Sequence, residues 1–512
     1  MSQAVEAATP PGDGTPPGDA TPAGDAASHG DAASHGDAAP HGDAAPRRSW
    51  TRKQLVALLV IGLGALMVSL TQALLVPVLS ELAVDLHTGG DGVAWLLTST
   101  LLVGAIAVPA FGRLGDLYGV RLMVLIALGA LVAGSLICAL SDTLAWMIVG
   151  RSVVGLSVAT VPLSISLIGV TLPKERAGAG IALISAMLGV GGALGLPLAG
   201  VVAQYADYHV LFWICVAGGL LAVPGIVLLV PNPPVAGKGR MDLIGTALLG
   251  AAMLALLLPL AQGSSWGWAS PRTLGLLVAA VVLLLVFVGV ELRRKSPLVD
   301  VRTTARPALL LTNLASLCVG FALFATLIGT ASYVQAPAAT GYGFGKSILV
   351  GGLCMLPGGI AMLLLSPLSA RLAPRTALIS GSLIIAVGFA SRIWLTGSLW
   401  EVILGATIAG AGTGIAYAAM PGLIIHASPR SELAAANGLN ALFRSVGSSL
   451  ASAIGGAILA ARTMSLAGHE LPSLGAYQLL FVICAGAAVV AALIALVIPT
   501  HSATADAALP EE

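Results

Sequence analysis

Long apolar stretches separated by short polar segments repeat along the chain from residue 55 to residue 499. Each stretch has about 19 or more residues, enough to cross a ~30 Å hydrocarbon layer as a helix that rises ~1.5 Å per residue. Inside a bilayer such a stretch must satisfy its own backbone hydrogen bonds, which favours helices. The pattern predicts fourteen membrane spans, at residues 55–78, 93–111, 122–140, 144–171, 177–203, 208–230, 243–262, 274–292, 308–335, 347–367, 376–396, 400–425, 434–461 and 476–499.

The basic residues are divided unequally between alternate loops. If the N-terminus is cytoplasmic, its side of the membrane holds 18 of the 24 Lys and Arg residues, and the opposite side holds three. The remaining three lie inside spans. Because cytoplasmic loops carry an excess of Lys and Arg, both termini are predicted to be cytoplasmic.

Composition agrees with this pattern. Hydrophobic residues make up 57% of the chain and charged residues 9%, far from the values of soluble domains, so the predicted class is an all-α integral membrane protein. A net charge of +1 offers no basic surface for nucleic acid. The five cysteines stand singly inside spans, with no spacing that indicates a metal site or a disulfide framework, and no cofactor is expected.

Residues 1–49 are rich in Pro, Gly, Ala and Asp and contain an imperfect repeat, 28–33 followed by 34–39. Such a segment cannot bury a core, so we predict a disordered cytoplasmic tail, with a shorter one over 500–512. Three histidines in the long tail offer weak metal ligands, but a low-complexity tail is the preferred interpretation. They are His29, His35 and His41.

The segment 112–121, between the second and third spans, combines glycines with charge. We predict a tight turn, because glycine permits sharp bends and close packing. Its carboxylate can accept from a helix N-terminus or a basic neighbour. The spacing Gly-x-Leu-Gly-Asp-x-x-Gly-x-Arg resembles the loop between the second and third helices of the major facilitator superfamily. The resemblance implies a conformational latch, although the residues alone fit a solvated loop equally well. The latch candidates are Gly112, Gly115, Asp116, Gly119 and Arg121.

The segment 366–375, after the tenth span, echoes this turn. Arg375 matches Arg121, and Ala370 replaces Asp116. A weak internal repeat of this kind indicates two related bundles, and the resemblance to the fourteen-span drug/proton antiporters implies two helices inserted between them. The predicted organisation is an N-terminal six-helix bundle at 50–231, a linker with two extra helices at 232–306 and a C-terminal six-helix bundle at 307–499.

Two spans carry partial matches to other motifs of the superfamily. In the fourth span, Arg151 and Gly155 resemble a motif linked to proton coupling; an arginine satisfied by neighbouring carbonyls is the structural alternative. In the fifth span, Gly192, Pro197 and Gly200 resemble the antiporter signature. Ordinary close packing of small residues explains this second pattern about as well.

The thirteenth span carries a polar stripe. Asn437, Asn440 and Arg444 are three and four residues apart and share one helix face. Polar side chains within a membrane face a cavity or another helix, so these residues are candidates for coupling or substrate contact.

One residue type is missing. The fourteen-span antiporters usually carry an aspartate in the first helix, and alignment on Pro77 places Val68 there. No Asp or Glu lies deep in any predicted span. With Arg151 and Arg444 unpaired in the sequence, we expect a neutral, anionic or zwitterionic cargo rather than a lipophilic cation.

The resemblance to the fourteen-span drug/proton antiporters implies a secondary-active exporter of drugs or antibiotics in a bacterial plasma membrane. Its expected partners are a small-molecule substrate, protons and the lipid bilayer, and the expected state is a monomer. Uptake or exchange of a metabolite or siderophore is the alternative within transport, and a lipid-linked glycan flippase is the alternative outside it. We do not expect an enzyme, because the loops between spans are too short to hold a donor substrate.

Overall fold

The computed structural model describes residues 51–75, 78–235, 237, 239–466 and 469–499. The predicted tails, their histidines and Pro77 lie outside the described residues. The helices run Arg52–Leu74 (α1), Leu79–Asp85 (α2), Gly90–Tyr118 (α3), Val120–Ala139 (α4), Leu144–Leu156 (α5), Thr160–Thr171 (α6), Lys174–Tyr205 (α7), His209–Leu229 (α8), Leu243–Trp266 (α9), Pro271–Glu291 (α10), Val301–Thr304 (α11), Pro307–Gln335 (α12), Ile348–Leu353 (α13), Leu356–Leu365 (α14), Pro374–Trp394 (α15), Leu399–Ala427 (α16), Leu433–Ala461 (α17) and Leu474–Val497 (α18).

Fourteen helical segments within the described residues are long and apolar enough to span a membrane, which confirms the predicted fold class. Two of them are interrupted rods. The fourth joins α5 to α6 through a 3-10 turn at Ser157–Ala159, and the tenth joins α13, α14 and a 3-10 segment at Ser366–Arg371. Apolar runs that look continuous in the sequence therefore contain bends.

Consecutive spans alternate in direction, so each connection lies at one of two ends. The start of α1, the end of α18 and the connections near residues 119, 172, 230–242, 292–306, 372 and 429 lie at one end, which we call the basic face. The other end is the opposite face. Most loop Lys and Arg residues belong to the basic face.

The spans form two helical bundles with separate buried apolar clusters, one drawn mainly from residues 58–230 and the other from residues 315–498. The same packing recurs in both. Helix α4 packs on α8 as α15 packs on α18, and α1 packs on α7 as α12 packs on α17. Packing therefore repeats as the internal repeat predicts, while the exact domain boundaries stay a prediction.

Close glycine contacts hold corresponding helices together in the two bundles. A Cβ atom on Gly134 of α4 would lie 2.6 Å from the carbonyl oxygen of Gly150 in α5. A Cβ on Gly412 of α16 would lie 2.5 Å from the carbonyl oxygen of Gly381 in α15. Lipid tails are as apolar as leucine, so close backbone approach, rather than the hydrophobic effect, stabilises such helix pairs.

A β-hairpin on the opposite face has no counterpart in the sequence prediction. Strands Thr463–Leu466 and His469–Pro472 pair antiparallel between α17 and α18. The Tyr342 hydroxyl donates to the Pro472 carbonyl, and its ring lies 5.6 Å from that of Tyr477. Burial raises the pKa of Tyr342 above its ordinary value.

Candidate functional site

The predicted latch turn is shorter than expected. Gly112, Gly115 and Asp116 belong to the last turns of α3, and Gly119, with φ +108°, separates it from α4. The prediction of a turn over 112–121 is wrong in this respect. Here the first two glycines serve packing within a continuing helix: a Cβ on Gly112 would lie 2.7 Å from the carbonyl oxygen of Ala434.

Asp116 joins the two bundles. Its Oδ1 accepts from the N–H of Ala434 and its Oδ2 from the N–H of Ala435, both at 2.9 Å. These N–H groups lie in the first turn of α17, where backbone donors have no partner within the helix and the dipole is positive. The carboxylate is 6% exposed, so this charge-assisted contact is shielded from water.

The other charged latch residue acts elsewhere. The Arg121 Nη2 donates to the carbonyls of Val227 at 2.5 Å and Ile226 at 3.4 Å, at the end of α8. In the second bundle, Arg375 Nε donates to the carbonyl of Ala495 at 3.2 Å, at the end of α18. Each arginine thus sits at a helix C-terminus within its own bundle, where a cation is favoured.

Replacing either arginine is expected to lower the stability of its own bundle without breaking the Asp116 contact between the bundles. Arg121→Gln and Arg375→Gln should each lower stability by about 1 kcal/mol, from the lost hydrogen bonds and dipole interaction. Thermal unfolding of the purified protein in detergent measures this. Arg371→Gln is the control, because Arg371 is an exposed residue on the same face; equal midpoints for all three variants would contradict the assignment.

Helix α7 lies along the second bundle for most of its length. A Cβ on Gly200 would lie 2.9 Å from Cα of Leu349, and a Cβ on Gly352 would lie 2.5 Å from the Pro197 nitrogen. Nearer the basic face, Ser366 Oγ donates to the Ala182 carbonyl at 2.6 Å. The small residues of the fifth span therefore form part of the seam between the bundles, and Gly192 is buried in the same helix.

The polar stripe of α17 divides between two roles. Asn437 Nδ2 donates to Ser166 Oγ in α6 at 3.0 Å, across the interface between bundles. Asn440 Nδ2 donates to Asn313 Oδ1 in α12 at 3.0 Å, inside the second bundle. Ser316 Oγ adds a bond to the Asn440 carbonyl at 3.3 Å. Of these stripe residues, Asn437 is the one whose side chain bonds directly to the first bundle.

Arg444 lies near the middle of α17, where α17 faces α16. Its guanidinium carbon sits 4.9 Å from the ring centroid of Tyr417, a cation–π arrangement. The side chain is half-buried although it lies deep within a span. A half-buried charge at this depth is a candidate for coupling or substrate contact.

Arg151 is fully enclosed in the first bundle. Its Nε donates to the Leu96 carbonyl at 3.1 Å and its Nη1 to the Thr71 carbonyl at 3.3 Å. A Cβ on Gly155 would lie 2.8 Å from the Thr100 carbonyl oxygen, so α5 approaches α3 closely. This geometry matches the structural alternative, an arginine that cross-links helices through their carbonyls.

A second enclosed arginine was not singled out from the sequence. Arg392 is 1% exposed and lies over the Phe481 ring, 4.1 Å from its centroid. Its three guanidinium nitrogens have no hydrogen-bond partner among the described residues. Its place near the end of an apolar span resembles an ordinary flanking arginine, so only the fold shows that it is buried.

Two related helical bundles that meet along a glycine seam and at a charge-capped helix define the class of the chain as a multi-pass membrane protein. The model of the Major Facilitator Superfamily matches residues 61–398 and 314–512. The chain belongs to this superfamily, which confirms the family indicated by the 112–121 motif.

Characterised relatives include proteins named for drug resistance. The chain is 28% identical over 419 residues to the multidrug resistance protein Stp of Mycobacterium tuberculosis (strain CDC 1551 / Oshkosh), covering 80% of this chain and 76% of Stp. It is 28% identical over 418 residues to the tetracenomycin C resistance and export protein of Streptomyces glaucescens, covering 79% and 76%.

Solved transporters share the fold at low identity. The human organic anion transporter MFSD10 (TETRAN) aligns with a TM-score of 0.61 and 15% identity, over 87% of this chain and all of that one. The proton:xylose symporter XylE aligns with a TM-score of 0.59 and 14% identity, over 87% and 96%. These likenesses support the architecture and carry no inference about cargo.

Proposed function

We propose that the chain is a secondary-active exporter of small organic compounds that works by alternating access and exchanges its cargo for protons. The basic face is cytoplasmic in this proposal, the membrane is a bacterial plasma membrane, and the unit is a monomer. The drug-resistance and export relatives support the direction and the class of cargo.

The observation that carries the mechanism is the Asp116 contact with the first turn of α17. This contact joins α3 of the first bundle to α17 of the second at the basic face, so it exists only in a state in which that face is closed. A rocking motion that opens this face must break both hydrogen bonds and exchange them for contacts with water. The contact therefore stabilises one state of the cycle relative to the other, which is what a latch requires.

The proposed cargo site lies between the bundles near Arg444, Tyr417 and Asn437. Arg444 supplies a positive charge at half depth, held over the buried ring of Tyr417. A neutral or acidic compound is compatible with this charge, whereas a lipophilic cation meets repulsion from Arg444. Arg151, with its two carbonyl partners, is proposed to hold α1, α3 and α5 as one body around this site.

Transport into everted vesicles tests this function. With an imposed proton gradient, vesicles carrying the protein are expected to accumulate tetracenomycin C but not the cation tetraphenylphosphonium. Collapse of the gradient with an ionophore should stop accumulation. Preferred uptake of tetraphenylphosphonium would contradict the proposed cargo class.

Exchange without protons is the second candidate, and it is favoured by three positions in α1, α3 and α16. Val68 is a buried residue of α1, and Glu401 is occupied in the capping box of α16. Asp116 is occupied by α17. If accumulation persists after the gradient is collapsed and follows a counter-substrate inside the vesicles, the protein is an exchanger.

A further inference from the structure

Of the two inserted helices, α9 contacts both bundles, and α10 packs on α9. Helix α9 packs against α3 of the first bundle and α17 of the second. Leu249, Met253 and Leu257 of α9 share a buried cluster with Leu102 of α3 and Leu439 of α17. The α9–α10 helical hairpin therefore lies, through α9, against the interface between α3 and α17 that Asp116 joins.

The segment that precedes α9 touches the latch residue itself. The N–H of Gly237 donates to the backbone carbonyl of Asp116 at 3.1 Å. A Cβ on Gly237 would lie 2.5 Å from that oxygen, so only glycine fits here without a shift of the backbone. Asp116 thus holds α17 with its side chain and the inserted segment with its carbonyl group.

The two segments that flank the hairpin also meet each other. Gly239 has φ +117°, and a Cβ there would lie 2.7 Å from Ser296 Oγ and 3.7 Å from Arg113 Nη2. Residue 239 precedes α9, Ser296 follows α10 and Arg113 belongs to α3. The segment before α9 and the segment after α10 therefore meet each other at the end of α3.

The segment that follows α10 is anchored on the second bundle. Leu298 is 1% exposed and Val299 is 7% exposed, and both belong to the buried cluster that contains Leu439 and Leu442 of α17 as well as Leu102 of α3. These apolar residues lie at the basic face, outside the predicted spans. Their burial ties the second flank to the helix that Asp116 caps.

We propose that the inserted hairpin and its flanking segments, 230–242 and 292–306, form a strap that holds the basic face closed together with the latch. The strap is fastened to the first bundle through Gly237 and Asp116, and to the second bundle through Leu298 and Val299. Opening of the basic face requires one of these fastenings to release. The proposal rests on the latch of the proposed function and adds a second element to it.

The reactivity of a cysteine placed at the interface between the bundles, next to the latch, measures how well the strap keeps the basic face closed. Ser166 lies in α6 and contacts Asn437 across the interface, so Ser166→Cys in the full chain reports opening. Peptide mass spectrometry of maleimide labelling at position 166 separates this site from the five native cysteines. Gly237→Ala is expected to raise the labelling rate about fivefold, the factor that corresponds to one lost hydrogen bond of about 1 kcal/mol.

Two further variants make the test specific. Leu298→Ala loosens the other flank and should raise labelling by a similar factor, which guards against a folding defect confined to Gly237→Ala. Gly289→Ala is the matched control in α10, because a Cβ there meets nothing within 4 Å. Its labelling rate should equal that of the Ser166→Cys background.

The outcomes separate the strap from the latch. If Asp116→Asn raises labelling while Gly237→Ala and Leu298→Ala do not, the strap is rejected and the latch stands. If the strap variants raise labelling and Asp116→Asn does not, the latch of the proposed function is rejected and the strap alone closes the face. If none of them changes labelling, both are rejected.

Discussion

Asp116→Asn is expected to lower the initial rate of export about tenfold or more while leaving the amount of protein in the membrane unchanged. The substitution removes the charge and one of two acceptor oxygens from a buried contact with Ala434 and Ala435. Hydrogen bonds to a charged group contribute about 1.5–3 kcal/mol, a factor of about 10 or more in the balance between two states. Uptake into everted vesicles, normalised to the quantity of protein, measures the change.

The matched control for this variant is Asp142→Asn. Asp142 lies between α4 and α5 on the opposite face, and its side chain is 89% exposed. The same loss of a carboxylate charge there should leave the rate of export as it is in the unmodified protein. Export at the unmodified rate by Asp116→Asn would show that the capped helix is structural and does not act as a latch.

Arg444→Ala is expected to abolish export of an acidic aromatic cargo and to spare a neutral one of similar size. The guanidinium of Arg444 lies at half depth over Tyr417, where an anion is only weakly screened by water. Removing one member of such a buried charge pair costs about 2–5 kcal/mol, so transport of the acidic cargo should fall about 30-fold or more. Arg444→Lys should retain part of the activity, because it keeps the charge and loses the planar fork.

The comparison residue is Arg462, an exposed arginine just beyond the end of the same helix. Arg462→Ala should transport both cargoes normally. The measurement is the initial rate for the acidic and the neutral compound, taken side by side in each variant. Equal losses for both compounds in Arg444→Ala would point to a structural arginine, and normal export of the acidic compound would remove Arg444 from the cargo site.

The two copies of the latch segment, 112–121 and 366–375, make different contacts at the basic face. Asp116 caps α17, whereas the corresponding Ala370 lies near the start of α7, 3.4 Å from where a Cβ on Gly178 would sit. One seam at the basic face therefore has a charged contact and the other has small-residue packing with a single serine bond from Ser366. The larger electrostatic contribution to closing the basic face therefore comes from the interface between α3 and α17, against which α9 also packs.

The sequence alone was sufficient for the properties that depend on neighbouring residues. Length and hydrophobicity within each span determined the fourteen helices. The motif around Asp116 indicated the superfamily before any contact was known. The repeat matched Arg375 to Arg121, but the helix ends that both arginines hold were not predicted, and Arg121 was expected in the latch.

Only the tertiary structure decided which groups meet. Asp116 bonds to N–H groups 318 and 319 residues away, and no local pattern marks backbone donors as its partners. Distant partners likewise explain the helix that continues through Gly112 and Gly115, the burial of Arg392 and the contact of Gly237 with Asp116. Whether a glycine bends a chain or admits a neighbouring helix depends on the atoms packed against it, and those atoms come from distant parts of the chain.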